Sequence, residues 1–283
     1  MEVGRFDNSV GMIIQARMAS TRLPGKVLMP MPFASDTTLL GSITDALSST
    51  GAQVVVATSE NQENDPIAEF CEGKGIKYFR GSEHDVFSRF FEIQEQESFS
   101  TIFRFTADNP FIDLNKLSEF YQSFLKAQVD YAYSKGMPLG MNFEVMKGNL
   151  ILKLSDLELS QEEREHVTLI IHRHDRFNKL LINIADSAEL RMTVDTPLDY
   201  AQASLLKLEL GDDCSLNKVL SLKQQNPWLF QLNQGVLQKN TSENQDIQLV
   251  IIKKLCLETG FNKVYKLLDS FQNGSISTVS ESN

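Results

Sequence analysis

Short apolar runs alternate along the chain with longer segments in which apolar side chains recur at helical spacing. This alternation predicts an α/β fold with a largely parallel sheet. The run 53–58 contains three consecutive valines, which is typical of a strand covered on both faces. The predicted strands are 10–16, 53–58, 76–80, 101–107, 129–134, 180–184 and 190–194.

Helix start signals lie between several of these strands. Asp65-Pro66 predicts an N-cap followed by proline in the first turn, and Thr196-Pro197 repeats the pattern with Asp199 close behind. Between 84 and 97 apolar residues recur at helical spacing and are interpreted as core. These residues are Val86, Phe87, Phe90, Phe91 and Ile93.

The alternation stops near residue 210. Segments 215–225 and 247–271 have the pattern of amphipathic helices, and residues 272–283 have the polar, Ser- and Gly-rich composition of a disordered tail. We therefore expect one α/β domain over 1–210, a helical C-terminal extension over 211–271 and a disordered tail.

Composition narrows the class of partner. The 283 residues carry a formal net charge of −10, which argues against a nucleic-acid or anionic membrane surface. The cysteines at 71, 214 and 256 have neither disulfide nor zinc spacing. With neither a signal-peptide pattern near residue 1 nor an apolar run of about 20 residues, a cytoplasmic location is predicted.

One segment of this acidic chain is basic. Residues 13–28, "IIQARMASTRLPGKVL", begin as a buried strand and then place Arg17, Arg22 and Lys26 around Gly25. Neither a P-loop nor a G-x-G-x-x-G motif is present. Ligands bind at the carboxyl ends of parallel strands, so we expect an anionic ligand held by side chains, with solvated surface cations as the alternative.

Two aspartates follow other predicted strands. Asp108 lies at the end of 101–107, and Asp195 follows 190–194. Both should lie on the same rim of the sheet as the basic loop. Paired carboxylates beside a phosphate suit Mg²⁺, and without a metal they would repel a triphosphate. The alternative is that each aspartate is a turn or cap residue.

Five segments together resemble a known family, the cytidylyltransferases of the spore-coat polysaccharide type. These are relatives of CMP-3-deoxy-manno-octulosonate synthetase and acylneuraminate cytidylyltransferase. The segments are "IIQARMASTRLPGKVL", "FRGSEHDVFSRF", "FRFTADNPFID", "EREHVT" and "LRMTVDTPLDY". The resemblance implies a three-layer α/β/α, Rossmann-like domain of the nucleotide-diphospho-sugar-transferase type with a mostly parallel mixed sheet. It also implies CTP as donor, Mg²⁺ as cofactor, a sugar acceptor and release of pyrophosphate.

The same resemblance implies roles for individual residues. Arg17, Lys26 and Asp108 are expected to be catalytic, and Asp108 and Asp195 to hold the metal. Nucleotide contacts are expected from Ala19, Ser20, Thr21, Arg22, Arg89, Arg104 and Thr106. Sugar contacts are expected from Asn142, Glu144 and His166. For Arg89 and Arg104 salt bridges are the alternative, and for His166 a structural role.

The chain departs from the family pattern at three places. "FASDTTLL" replaces the usual Gly-Lys-Pro, Asn109 stands where Gly-Asp-Cys-Pro has cysteine, and Asn142 replaces an aspartate that faces the sugar. The loss of that charge alters the expected sugar specificity.

The predicted function is transfer of CMP from CTP to a sugar, an acidic one by resemblance, to make a CMP-sugar for surface polysaccharide. The expected partners are CTP, the sugar and a second copy of the chain in a homodimer. Two alternatives stay open. One is a glycosyltransferase of the related fold, although a D-x-D motif is absent around Asp108. The other is a catalytically silent nucleotide-binding subunit.

Overall fold

Seven strands form one sheet in the computed structural model, which describes residues 5–236 and residue 266. The strands are β1 Val10–Gln15, β2 Gln53–Ser59, β3 Lys77–Gly81, β4 Thr101–Thr106, β5 Tyr131–Lys135, β6 Glu144–Lys147 and β7 Lys179–Asn183.

Nine α-helices lie between and after these strands in the same described part of the chain. They are α1 Leu39–Ser48, α2 Asp65–Lys74, α3 Val86–Glu97, α4 Leu114–Ala127, α5 Gly148–Ser155, α6 Gln161–Glu165, α7 Leu169–Arg173, α8 Pro197–Leu210 and α9 Leu216–Gln225. Short 3₁₀ turns cover Lys26–Leu28, Gln62–Asn64 and Pro227–Phe230.

The sheet is mixed, and its strand order is β3-β2-β1-β4-β6-β5-β7. Strands β3, β2, β1 and β4 are parallel neighbours, whereas β6 runs antiparallel to both β4 and β5. β7 pairs with β5 in the parallel sense. In the central pair Gln15 lies opposite Thr106, so the segments that follow β1 and β4 begin side by side.

Apolar side chains of the sheet alternate between two cores, one on each face. Val54 and Val56 lie in one core, while Val55 lies in the other. Helices α1, α2, α4, α8 and α9 contribute to the first core, and α3, α5 and α7 to the second. The predicted three-layer α/β/α architecture is therefore confirmed. Burial of each large apolar side chain here contributes roughly 1.5–3 kcal/mol before the cost of ordering is counted.

Six predicted strands are confirmed within one or two residues, but 190–194 is not a strand. Its apolar side chains alternate inward as a strand's would. Its backbone amides instead bond to irregular segments, with Met192 N–H donating to Leu139 and Val194 N–H donating to Asp108. Conversely, the four-residue β6 was not predicted, because charged residues at both ends leave it only two buried apolar side chains.

The helix start signals are confirmed with one shift. Thr196 caps α8 through a capping box with Asp199. At α2 the N-cap is Asn64, and Asp65 is the first helical residue, so the predicted cap lies one position too late. The predicted core residues of 84–97 pack on or within the second core, as helix α3.

The predicted boundary near residue 210 does not coincide with a break in packing. Leu216, Val219 and Leu222 of α9 lie in the same core as β1 and α8. The Leu216 amide also donates to the carboxylate of Asp113, at the start of α4, at 2.8 Å. The predicted helix over 247–271 and the predicted tail over 272–283 lie outside the described residues, apart from helical residue 266.

Candidate active site

The loop after β1 is fixed at both of its ends. Its first part is anchored by Met18, whose amide donates to the side chain of Asn64 at 2.8 Å. At its far end Gly25 adopts a left-handed conformation with φ of 71° and donates its amide to Met18. That turn places Lys26 in the interior, beneath the carboxyl ends of the strands.

A cleft of about 270 Å³ opens at this rim. Its walls are the loop after β1, the end of β4, the start of α3 and the segment after α6. Eleven of the predicted site residues line it: Arg17, Ala19, Ser20, Thr21, Arg22, Lys26, Arg89, Thr106, Asp108, His166 and Asp195. The rim arrangement expected from the strand ends is therefore present.

Lys26 lies between the two aspartates. Its ammonium donates to the carboxylates of Asp195 at 3.0 Å and Asp108 at 3.1 Å, and to the carbonyl oxygen of Val194 at 2.7 Å. Its side chain is only 9% exposed. A buried cation thus lies between the two carboxylates and offsets part of the repulsion that they were expected to exert on a triphosphate without a metal.

Asp195 is surrounded by cations. Its second carboxylate oxygen accepts from Arg22 at 3.1 Å and from Arg191 at 3.0 Å. Burial opposes ionisation, but the surrounding cations outweigh it and hold the pKa of the Asp195 carboxyl below its ordinary value. Arg191 in turn forms a two-pronged ion pair with the buried Asp199, at 2.8 and 2.9 Å. Asp199 of the α8 capping box therefore holds Arg191, and Arg191 holds Asp195 in the cleft.

Asp108 is held differently, through a hydroxyl. Thr106 donates to one of its carboxylate oxygens, and Thr106 accepts from the side-chain amide of Asn109 at 2.8 Å. The side-chain oxygen of Asn109 is buried and has no hydrogen-bond partner in the described part of the protein. A buried acceptor without a partner is costly, so a donor that reached this oxygen would be favoured.

The three arginines of the cleft differ in their exposure and in their hydrogen-bond partners. Arg17 is 56% exposed and lies 3.9 Å from Glu83, a weak surface ion pair. One terminal nitrogen of Arg22 and the Nε atom of Arg89 are buried and have no hydrogen-bond partner among residues 5–236. Burial lowers the pKa of the Arg89 guanidinium. Arg22 and Arg89 therefore each have an N–H group without an acceptor, and this group could donate a hydrogen bond to a bound anion.

A second cavity of about 140 Å³ adjoins the cleft, and Thr106 lines both. It contains the predicted sugar contacts Asn142 and Glu144, and also Arg104. Arg104 was predicted to contact the nucleotide, but it donates to Glu144 and to the side chain of Gln15, each at 3.0 Å. This is the salt bridge that the sequence left as its alternative role.

His166 lines the first cleft, and not the cavity that holds the other two predicted sugar contacts. The next residue, Val167, has a φ of 44°, a value that β-branched residues rarely adopt. This turn directs the chain back into the core, where Val167 is fully buried.

Asp108 and Asp195 are the predicted metal ligands. In the described ranges no group of three or more His, Cys, Asp or Glu side chains could hold a metal ion. Two facing carboxylates that share one ammonium are nevertheless close enough to share another cation. Mg²⁺ takes one or two protein carboxylates and completes its shell with water and substrate phosphates. The pair therefore fits a divalent cation that arrives with a phosphate ligand.

Comparison with known proteins identifies the class. A family model described as Cytidylyltransferase matches residues 12–242. The spore coat polysaccharide biosynthesis protein SpsF of Bacillus subtilis is 34% identical over 233 residues, which cover 78% of this chain and 96% of that protein. A solved cytidylyltransferase of Leptospira borgpetersenii aligns with a TM-score of 0.73 and 30% identity, over 79% of this chain and 97% of that one.

A more distant likeness shows the fold. The CMP-2-keto-3-deoxy-manno-octonic acid synthetase, solved in complex with CTP, aligns with a TM-score of 0.54 and 16% identity, over 71% of this chain and 98% of that one. The fold and the family match together define a nucleotidyltransferase. The chain belongs to the cytidylyltransferase family, as the resemblance indicated.

From the sequence Asp199 was predicted only as a helix-start residue, and Arg191 and Asn233 were not predicted to support the site. Arg191 and Asp199 flank Asp195 by four residues on either side, and that spacing within "LRMTVDTPLDY" was a usable signal. Asn233, which donates to Asp199 at 2.8 Å, gave no such signal because it lies in an irregular segment far along the chain. No helix in the described ranges is both long and apolar enough to cross a membrane.

Proposed function

We propose that this protein transfers CMP from CTP to an acidic sugar and releases pyrophosphate, forming a CMP-sugar for surface polysaccharide. The main support for this proposal is a pair of adjoining cavities that share Thr106. One of them is lined by basic side chains, and in it Lys26 lies between two aspartates. Two relatives support the proposal. One is named for spore coat polysaccharide biosynthesis, and a protein of the same fold was solved with CTP.

In this reaction a hydroxyl oxygen of the sugar loses its proton to water and attacks the α-phosphorus of CTP, while the bond from that phosphorus to pyrophosphate breaks and pyrophosphate leaves. The same attack by the phosphate oxygen of a sugar phosphate would instead form a CDP-sugar. Such a step needs positioning and charge neutralisation more than covalent catalysis. Arg17, Arg22 and Lys26 would neutralise the triphosphate from the loop after β1. The unpartnered donors of Arg22 and Arg89 would fix its orientation.

The second cavity would hold the sugar next to the α-phosphate. Its polar groups are Asn142, the open acceptor of Asn109 and the pair of Arg104 with Glu144. Arg104 would release Glu144 and bind a carboxylate of the sugar in its place. The asparagine oxygen would accept from a sugar hydroxyl.

Asp108 and Asp195 would hold a divalent cation, expected to be Mg²⁺. When bound it would offset phosphate charge and lower the pKa of the attacking hydroxyl. A substrate such as CTP supports a cytoplasmic location. The homodimer stays a prediction.

We predict that CTP is preferred over ATP, GTP and UTP. Base selection by backbone groups near Ala19 and Ser20, in a short loop, would leave too little space for a purine. The measurement is a pyrophosphate-release screen that crosses the four nucleotides with ulosonic acids, sialic-type acids and sugar phosphates.

Three results would contradict the proposal. Equal turnover with ATP would remove the nucleotide assignment. Tight CTP binding without turnover across the whole panel would indicate a silent subunit. Sugar transfer from a nucleotide sugar without pyrophosphate release would indicate a glycosyltransferase.

A further inference from the structure

Lys26 has no donor left for a phosphate. An ammonium group has three protons, and Lys26 already donates to Val194, Asp195 and Asp108 at 2.7, 3.0 and 3.1 Å. Its side chain is almost completely buried. For Lys26 to contact a triphosphate, as proposed above, at least one of these bonds must break.

The charges of the cluster balance without any bound ion. Three cations, Lys26, Arg22 and Arg191, face three carboxylates. The carboxylates are Asp108, Asp195 and Asp199. A divalent cation that entered beside Lys26 would leave two unbalanced positive charges in a largely buried site, which is costly. The metal and the ammonium should therefore exclude each other from the carboxylate pair.

We propose that Lys26 is an internal counter-cation, which occupies the Asp108–Asp195 pair while the cleft is empty and leaves it for the triphosphate when a divalent cation binds. This inference rests on the proposed function. It makes the metal and CTP bind cooperatively, because the triphosphate accepts the ammonium that the metal displaces. It also protects the empty enzyme from holding metal without its nucleotide.

The principal test measures Mn²⁺ binding to the nucleotide-free protein by electron paramagnetic resonance of the free ion. Wild type should bind weakly at this pair. Lys26→Met, which keeps an unbranched chain and removes the charge, should bind at least about tenfold more tightly, within the usual range of coupling between sites. Its rate of pyrophosphate release should nevertheless fall, because the triphosphate loses a cation.

Three variants serve as controls. Lys74→Met removes a surface lysine that lies 3.5 Å from Asp45 and should behave as wild type. Lys26→Arg keeps the cation and should bind Mn²⁺ as weakly as wild type. Adding Asp195→Asn to Lys26→Met should abolish the gain. A merely structural role for Lys26 predicts weaker metal binding in Lys26→Met.

A measurement on wild type covers the case in which Lys26→Met does not fold. The ¹⁵N signal of a buried, hydrogen-bonded ammonium should be visible in the empty protein and absent from Lys26→Arg. Adding Mg²⁺ with CTP should shift it, whereas CTP alone should shift it less. An unmoved signal with saturating Mg²⁺ and CTP would overturn the counter-cation assignment.

The outcomes separate the two proposals. If wild type releases pyrophosphate from CTP but Lys26→Met binds Mn²⁺ no more tightly, the counter-cation fails and the proposed function stands. If wild type binds neither CTP nor Mn²⁺ with CTP present, both fail together.

Discussion

Asp195 is held in place by three cationic side chains. It accepts from Lys26, Arg22 and Arg191, and its backbone amide donates to Asp199 at 3.1 Å. It is not the N-cap of α8, which is Thr196. The simple alternative to metal binding, a helix-start residue, therefore does not describe it.

We predict that Asp195→Asn lowers turnover by at least about a hundredfold, or roughly 2.7 kcal/mol of transition-state stabilisation. Stability should also fall, by roughly 1–3 kcal/mol, because an amide cannot neutralise the cations around it. Two aspartates that faced each other without a cation would gain stability from this change, but Lys26 lies between them and reverses the expected sign. Pyrophosphate release against Mg²⁺ concentration and melting curves measure both effects.

Asp156→Asn, at an exposed aspartate after α5, is the matched control and should change neither quantity. Asp108→Asn should lower turnover similarly, and the double variant should be little worse than either single one, since both disable one site. Near-normal turnover of Asp195→Asn at ordinary Mg²⁺ would remove Asp195 from the metal site.

The lowered pKa of Asp195 predicts how this stability depends on pH. A carboxyl whose pKa is lower in the folded protein stabilises it above the unfolded value, about 3.9, and loses that contribution as pH falls through the folded value. The stability difference between wild type and Asp195→Asn should thus be constant near neutral pH and shrink below about pH 4. Urea denaturation across that range measures it, and a difference that grows in acid would contradict it.

At the scale of elements, three segments with separate anchors form the cleft. The loop after β1 is closed by the left-handed Gly25, the turn after β4 carries Asp108, and the capping box of α8 holds Asp195 through Arg191. Each is fixed by its own backbone and cap bonds. Lys26 then links two of these segments directly and belongs to the third.

The loop geometry can be tested at Gly25. A Cβ there would meet only Met18, at an ordinary 3.6 Å, so Gly25→Ala costs backbone strain without a clash. We predict a stability loss of roughly 1–2 kcal/mol from the left-handed conformation. If the chain relaxes instead, Lys26 moves, and KM for CTP should rise more than kcat falls. Chemical denaturation and steady-state kinetics measure the two responses.

Gly73→Ala is the control for Gly25→Ala. It lies inside α2 with nothing within 4 Å of a new Cβ, so it should leave kinetics unchanged and stabilise by up to about 1 kcal/mol. Equal effects of the two substitutions would show that the left-handed turn has no special role.

The elements that could be predicted from sequence are those whose signals are local. The valines of β2, the apolar spacing of α3 and the Thr196-Pro197 start all depend on neighbouring residues. The segment 190–194 was wrongly predicted as a strand, because alternating apolar side chains indicate burial and do not show which groups the backbone amides bond to. The contact of Lys26 with Asp195 joins residues 169 positions apart, and no local pattern encodes it.

At the scale of the whole molecule, the parallel pairing of β1 and β4 places the carboxyl ends of both strands at the same rim of the sheet. Because Gln15 pairs with Thr106, the basic loop and Asp108 leave the sheet side by side. The residues that the resemblance named are divided between two cavities, and this division follows from the antiparallel β6 beside β4. Arg104 faces Glu144 across that pair and so lines the second cavity.

The extent of the catalytic unit is the last prediction. All residues that line the two cavities lie between Gln15 and Asp195, and Asn233 supports them through Asp199 and the carbonyl oxygen of Arg191. A protein that ends at residue 237 keeps each of these contacts. Its turnover should remain within a few-fold of the full chain, although its oligomeric state or solubility can change.

A protein that ends at residue 210 is the contrasting variant. It loses α9, whose Leu216, Val219 and Leu222 are buried in the main core, and it loses Asn233. Each deleted core side chain removes about 1.5–3 kcal/mol of burial, so this variant should be severely destabilised or unfolded. Melting curves and pyrophosphate release distinguish the two truncations. A folded 1–237 protein without activity would show that residues beyond 237 take part in the chemistry. A stable, active 1–210 protein would support the domain boundary that the sequence predicted.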